Sequence, residues 1–210
     1  MLDWGLMILG GYLLGSISGS LVLGRFLGVD IRAMGSGNAG GTNALRSVGW
    51  RFALGVILID VGKGALAAGL LPLALTDGGS PNYLQLAALA GFASVIGHIW
   101  PVYFRFRGGK GAGTAVGVVL SVAPWCFLPL LVVWLATLLG TGFVGLATIL
   151  AGLSLVPAMW LLGPDPLPAA LGFLAIALAV TLVFSHRENL ARMRSGTENR
   201  FEKARLIKRR

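Results

Sequence analysis

The chain has 210 residues, 56 % of them hydrophobic and 12 % charged, with a net charge of +9 and a mean hydropathy of +0.81. No soluble domain of this length has enough interior to hide so much apolar surface, so lipid is its solvent. Backbone groups in a bilayer must be satisfied internally, and the long Leu, Ala, Val and Gly runs lack the alternation of barrel strands, so the class is all-α, a polytopic membrane protein, in one domain over residues 1–210.

Asp3 and the absence of Lys or Arg near the start argue against a signal peptide, so the first apolar run reads as a retained helix, about Trp4 to Leu23. Gly11, Gly15 and Gly19 recur every four residues along it, a small-residue stripe for close helix contact. An inside loop, 25–51, leads to a second helix, about Phe52 to Leu75, which ends in the turn-forming run Thr76-Asp77-Gly78-Gly79-Ser80-Pro81. Within that helix Asp60 and Lys63 stand three apart and should pair inside the bundle, as a structural ion pair before a catalytic one. A third helix, about Tyr83 to Phe104, returns to a second inside loop, Arg105 to Gly111.

Beyond it hydropathy shows runs at about 113–139, 143–162 and 169–184. Every Lys and Arg except Lys63 falls in one of three clusters, Arg25 to Arg51, Arg105 to Lys110 and Arg187 to Arg210. Asp3, Asp77 and Asp165 lie in the segments between. By the positive-inside rule the clusters are cytoplasmic, so the N-terminus is outside, the C-terminus is cytoplasmic, and the crossings between clusters are even in number. The 27-residue run over 113–139 is long for one span and contains Pro124, so it reads as two short helices, giving seven transmembrane helices. Five crossings with one membrane-buried segment is the alternative. Cys126 lies in this run and is expected to be a buried small hydrophobe.

Each basic cluster carries more than topology needs. Gly35 to Arg46 reads GSGNAGGTNALR. Its small residues expose backbone N–H groups that can nest an anion, Ser36, Asn38, Thr42 and Asn43 add neutral donors, and Arg46 adds a planar fork suited to phosphate. The second cluster reads GHIWP from Gly97 and then FRGGKG from Phe106 to Gly111. Its spacing is not that of a nucleotide P-loop, but amides around Gly108 and Gly109 with the point charge of Lys110 suit an anion equally. His98, about two turns inside the membrane, is equally a structural hydrogen-bonder or a substrate contact. In the third stretch, HRENLARMRSGTENR from His186 to Arg200, His186 and Asn189 share a helical face. The bases from Arg200 onward read as a solvated, lipid-attracted tail.

The three stretches, in this order and spacing, resemble the signature motifs of the acyl-phosphate:glycerol-3-phosphate acyltransferase family, nearly end to end. The resemblance implies a seven-helix membrane enzyme with a cytoplasmic active site in the bacterial inner membrane. Its reaction would move a fatty acyl group from acyl phosphate to the 1-hydroxyl of glycerol 3-phosphate, giving lysophosphatidate. Ser36, Arg46, Lys110, His186 and Asn189 match family residues implicated in binding or catalysis, and Asn38, Thr42, Asn43, Gly108, Gly109 and Glu198 fall within the motifs. We expect Ser36, Arg46, Lys110 and Asn189 to be catalytic and Asn38, Thr42, Asn43, His98, Gly108, Gly109, His186 and Glu198 to bind substrate. Ala39, Gly41 and Ser185 depart from frequent family residues but keep the loops small or polar.

The expected partners are glycerol 3-phosphate, acyl phosphate and membrane lipid, with a hand-over from an acyl-phosphate-producing enzyme compatible with the chemistry. Neither a cofactor, a metal nor a nucleic-acid partner is expected. An acyl phosphate carries a good leaving group, so no strong nucleophilic triad is required. Soluble acyltransferases place an Asp five residues after His, whereas Tyr103 follows His98 and Ala191 follows His186. An anion transporter would repeat its broken helices in two halves, and no internal repeat is visible. The eight acidic residues form no cluster of the kind a metal-dependent phosphotransferase needs.

Overall fold

The computed structural model describes residues 2–76, 78 and 80–201. Asp77 and the bases from Lys203 to Arg210 lie outside the described residues. The chain folds as two compact units, Met1–Pro124 and Trp125–Arg210, and no strand occurs among the described residues.

In the first unit, α1 (Leu2–Gly15) and α2 (Gly19–Leu27) replace the single first helix of the sequence reading. Loop one follows and ends in the short helix α3 (Gly41–Ser47), after which α4 (Trp50–Ala65) extends through irregular turns to Ala74. Helix α5 (Tyr83–Ile99) leads to loop two and then to α6 (Ala112–Val122). The glycine stripe does what its spacing suggests, but against two different partners. Side chains at Gly11 and Gly15 would collide with the backbone of Ala90 and Ser94 on α5, and one at Gly97 with that of Tyr12. Gly19, beyond the break, faces the backbone of Val56 on α4 instead. Gly64 and Gly117 bring α4 and α6 together in the same way. Backbones can approach this closely only without a Cβ, and the gain is dispersion and packing that lipid cannot supply.

The second unit contains α7 (Phe127–Thr141), α8 (Val144–Leu162), α9 (Ala169–Ser185) and the polar α10 (Arg187–Arg194). The split expected near Pro124 is present, as a short turn over Pro124–Cys126. Cys126 is fully buried with its Sγ 3.9 Å from Met159 Sδ. Helix α8 packs on both α7 and α9, and α10 on the ends of α8 and α9.

Among the described residues five helical segments are long and apolar enough to cross a membrane, Leu2–Leu27, Trp50–Ala74, Tyr83–Phe104, Pro124–Thr141 and Val144–Leu162. The bent pair Ala169–Ser185 with Arg187–Arg194 brings the number to six, and Ala112–Val122 is a shorter apolar helix. Large apolar side chains stand outward on them, with Leu161 80 % and Phe173 74 % exposed, as lipid contact requires.

Candidate active site

Loop one is closed by a single side chain. The buried Asn43 accepts at Oδ1 from the Ser36 backbone N–H (3.0 Å) and the Ser47 hydroxyl (3.3 Å). Its amide nitrogen donates to the carbonyls of Ile31 (3.1 Å), Met34 (2.9 Å) and Asn38 (3.1 Å). Gly35 and Gly37 take φ of 55° and 72°, which lets the chain turn around that amide without a Cβ penalty. The result is a fixed rim on which Ser36 and Arg46 are exposed and Asn38 and Thr42 half-buried.

Loop two folds back onto the end of α5. The Gly108 N–H donates to the Ile99 carbonyl (3.2 Å) and the Gly109 N–H to the His98 carbonyl (3.1 Å). Arg105 and Phe106 both lie in the left-handed region, at φ 57° and 58°. Each such non-glycine residue costs about 1–2 kcal/mol, so the reversal is imposed by its surroundings. Two of those surroundings belong to the start of the chain. The Arg25 guanidinium lies 4.9 Å from the Phe104 ring centroid, and Arg32 Nη1 donates to the Phe104 carbonyl at 3.4 Å. Arg32 is itself braced by Asp30, whose Oδ2 is 2.8 Å from Nη2. Hydrogen bonds from the Arg32 side chain and backbone hold the Asp30 carboxyl below the usual carboxylate range.

The third stretch lies in the second unit. Asn189 Nδ2 donates to Glu198 Oε1 at 2.6 Å, and Arg192 Nε to Glu198 Oε2 at 2.7 Å. Gly145 of α8 sits under Asn189, where a Cβ would lie 2.8 Å from its amide. His186 is buried, and its Nδ1 is 2.8 Å from the Leu182 carbonyl oxygen. A carbonyl only accepts, so Nδ1 carries a proton, and in the neutral ring Nε2 is then the acceptor.

The family model for glycerol-3-phosphate acyltransferase matches residues 5–196. The glycerol-3-phosphate acyltransferase of Shouchella clausii is 43 % identical over 201 residues, covering 93 % of this chain and 95 % of that one. That of Halalkalibacterium halodurans is 40 % identical over 205 residues, covering 95 % of each. The chain belongs to the glycerol-3-phosphate acyltransferase family. Its fold matches crystal structures of PlsY (YgiH), an integral membrane glycerol 3-phosphate acyltransferase, in the glycerol 3-phosphate form (TM-score 0.83) and the lysophosphatidic acid form (0.81). Both are 36 % identical, with 94 % of this chain and 95 % of the other covered.

Placed on this acyltransferase, the residues singled out in the sequence separate into two kinds. Ser36, Asn38, Thr42, Arg46 and Lys110 line loops one and two of the first unit, and His186 and Asn189 stand at the α9–α10 turn of the second. Asn43 and Glu198, expected to contact substrate, make scaffolding bonds within the protein. Both polar side-chain atoms of Asn43 are engaged in closing loop one, and both carboxylate oxygens of Glu198 hold Asn189 and Arg192. The Gly108 and Gly109 amides, expected to cradle an anion, are likewise engaged with α5. What these glycines provide is room, since a Cβ at either would collide with His98.

Arg200, read as the start of a solvated tail, instead packs 4.7 Å from the Phe143 ring centroid, and the Phe201 N–H donates to the Gly142 carbonyl at 2.8 Å. Sequence reasoning missed the break between α1 and α2, for which Ser16-Ile17-Ser18 is a weak signal, and the bridging role of Arg32.

Proposed function

We propose that this chain transfers a fatty acyl group from an acyl phosphate to the 1-hydroxyl of glycerol 3-phosphate, in the bacterial cytoplasmic membrane with its three basic stretches on the cytoplasmic face. The product is lysophosphatidate, formed with inorganic phosphate. The single observation that carries the reading is membership of the family over almost the whole chain, with relatives whose solved forms carry this acceptor and this product. The seven-segment topology, N-terminus outside and C-terminus inside, is supported by the basic clusters and by the helix break at Pro124.

The chemistry follows from the residues. Arg46 offers a bidentate fork and Lys110 a point charge to substrate phosphate and to the negative charge that grows in the transition state. Ser36, Asn38 and Thr42 add neutral donors on a rim already fixed by Asn43. Asn189, held by Glu198, and the accepting Nε2 of His186 orient the glycerol hydroxyls. The 1-hydroxyl oxygen attacks the acyl carbonyl carbon and an ester bond forms. The bond from that carbon to the phosphate oxygen breaks, and the hydroxyl proton leaves on the departing phosphate. A mixed anhydride needs no protein nucleophile for this step. Because an acyl phosphate is reactive towards water, hand-over from an enzyme that makes it at the membrane suits the donor's chemistry.

The test is direct. Purified protein in lipid nanodiscs receives glycerol 3-phosphate with either palmitoyl phosphate or a palmitoyl thioester. Lysophosphatidate is expected from the phosphate donor alone. Equal turnover of the thioester would overturn the donor assignment, and no product from either would overturn the function.

A further inference from the structure

Between the break in the first span and loop two lies a buried polar cluster that the reaction above does not use. Asp60 and Lys63 of α4 and His98 of α5 are each only 3 % exposed. The break leaves backbone groups without helical partners in a region where water cannot serve them. Lys63 Nζ donates to the Ile17 carbonyl at 2.8 Å, and the Gly19 N–H donates to Asp60 Oδ1 at 3.1 Å. The two side chains pair at 3.0 Å. The ion pair is thus a splint, each charge taking one backbone group of opposite polarity.

The third ligand of the ammonium is His98, whose Nδ1 lies 2.8 Å from Lys63 Nζ. An ammonium has three donors and no acceptor, and here three acceptors surround it: Ile17 O, Asp60 Oδ1 and His98 Nδ1. Nδ1 also lies 3.4 Å from Asp60 Oδ1, but the ammonium at 2.8 Å is the closer partner, so Nδ1 offers it a lone pair and the ring proton sits on Nε2. That nitrogen faces Gly109, where any Cβ would overlap it and would lie 2.8 Å from the Ala39 carbonyl oxygen of loop one. The same histidine's carbonyl accepts from the Gly109 N–H at 3.1 Å.

We propose that Asp60, Lys63 and His98 form a positioning relay, in which the ion pair fixes His98 as the Nε2–H tautomer and His98 then sets the seam between loops one and two, and with it Lys110. The proposal rests on the acyltransferase reading for its kinetic arm only. Asp60 and Lys63 act through His98, and none of the three is assigned to the reacting atoms.

Two measurements test it. In tag-free protein labelled with 15N-histidine, which has only His98 and His186, the His98 ring should give the neutral Nε2–H pattern, and Lys63→Met should abolish it. An Nδ1–H pattern in the wild type overturns the relay whether or not the protein turns over. The kinetic arm compares His98→Gln with His98→Asn. A glutamine amide reaches the Nε2 position and fills the space against Gly109, whereas an asparagine amide reaches only the Nδ1 position and satisfies Lys63. If the seam matters, Gln keeps kcat within about threefold while Asn, which leaves the seam unfilled, loses about tenfold, a barrier change of about 1.4 kcal/mol. A merely structural role predicts the reverse ranking or unchanged kcat per folded molecule in both, and either result sinks the proposal. Should both variants fail to fold, the wild-type spectrum alone decides.

Discussion

The two histidines, one in each unit, are prepared for opposite tasks by the atom that meets Nδ1. At His98 the nearest atom is the Lys63 ammonium at 2.8 Å, closer than Asp60 Oδ1 at 3.4 Å, and it only donates, so the far nitrogen is a donor. At His186 it is the Leu182 carbonyl, which only accepts, so the far nitrogen is an acceptor. On the proposed reading the first unit supplies donors and cations, Ser36, Arg46 and Lys110, for phosphate and oxyanion charge, with His98 as a donor behind them. On the same reading the second supplies an acceptor, His186, and an amide braced by Glu198, Asn189, for a hydroxyl. The contrast comes from one residue type by a change of one neighbour, and a reaction between a phosphate-bearing donor and an alcohol can use both kinds of group.

The largest expected effect lies on the cationic side. Lys110→Ala and Arg46→Ala each remove a transition-state charge contact and should lower kcat with palmitoyl phosphate by about 10²–10³. Arg46→Lys should stay impaired, because an ammonium cannot reproduce the guanidinium fork. Wild-type turnover in either alanine variant would break the division between donor and acceptor units. Next comes the splint. Asp60→Asn or Lys63→Met leaves a buried charge unpaired and should cost about 3–5 kcal/mol, read as a fall in thermal midpoint in detergent. The double neutral variant should recover much of the loss. A stable but inactive Asp60→Asn protein that keeps the wild-type His98 ring spectrum would make the pair part of the chemistry instead.

A smaller effect is expected on the acceptor side. In His186→Asn the amide can donate to the Leu182 carbonyl but brings no acceptor to the Nε2 position, so KM for glycerol 3-phosphate should rise by about tenfold. In His186→Gln the side-chain oxygen reaches that position and the rise should be smaller. Because the proton is assigned to the donor phosphate, an acidic limb in the pH profile of kcat should survive in the glutamine variant. Its disappearance would identify His186 as the general base and leave the acyltransferase function standing.

How much of this was legible in the sequence depends on the range of the interactions. Helices, the split at Pro124 and the glycine stripe follow from local composition, and the three basic stretches announce themselves by charge and small residues. The use of Asn43 is not local in this sense, since donor, acceptor and scaffold amides look the same until the carbonyls of Ile31 and Met34 are seen around it. Glu198 hides in the same way, nine residues from the amide it holds. The pairing of Asp60 and Lys63 follows from their spacing, but its reason does not. That reason is a helix break more than 40 residues away whose orphaned backbone groups the pair receives.

The smallest effect sharpens the picture of how the donor loops are joined. Arg32 reaches the Phe104 carbonyl from loop one while Asp30 holds its guanidinium, and both side chains remain substantially exposed, at 32 % and 52 %. Solvent screens such a pair, so Asp30→Ala should destabilise by no more than about 1 kcal/mol and less at high salt. The sign with pH follows from the lowered carboxyl. Its contribution is fully present above the ordinary carboxylate range and fades as pH falls through the folded-state value, so wild type and variant should differ at neutral pH and converge in acid. At neutral pH kcat should be nearly unchanged, since Arg25 over the Phe104 ring and the backbone bonds of Gly108 and Gly109 still hold loop two. A tenfold loss of kcat in Asp30→Ala without a matching loss of stability would show that the Arg32 bridge, rather than the α5 end, sets where Lys110 stands.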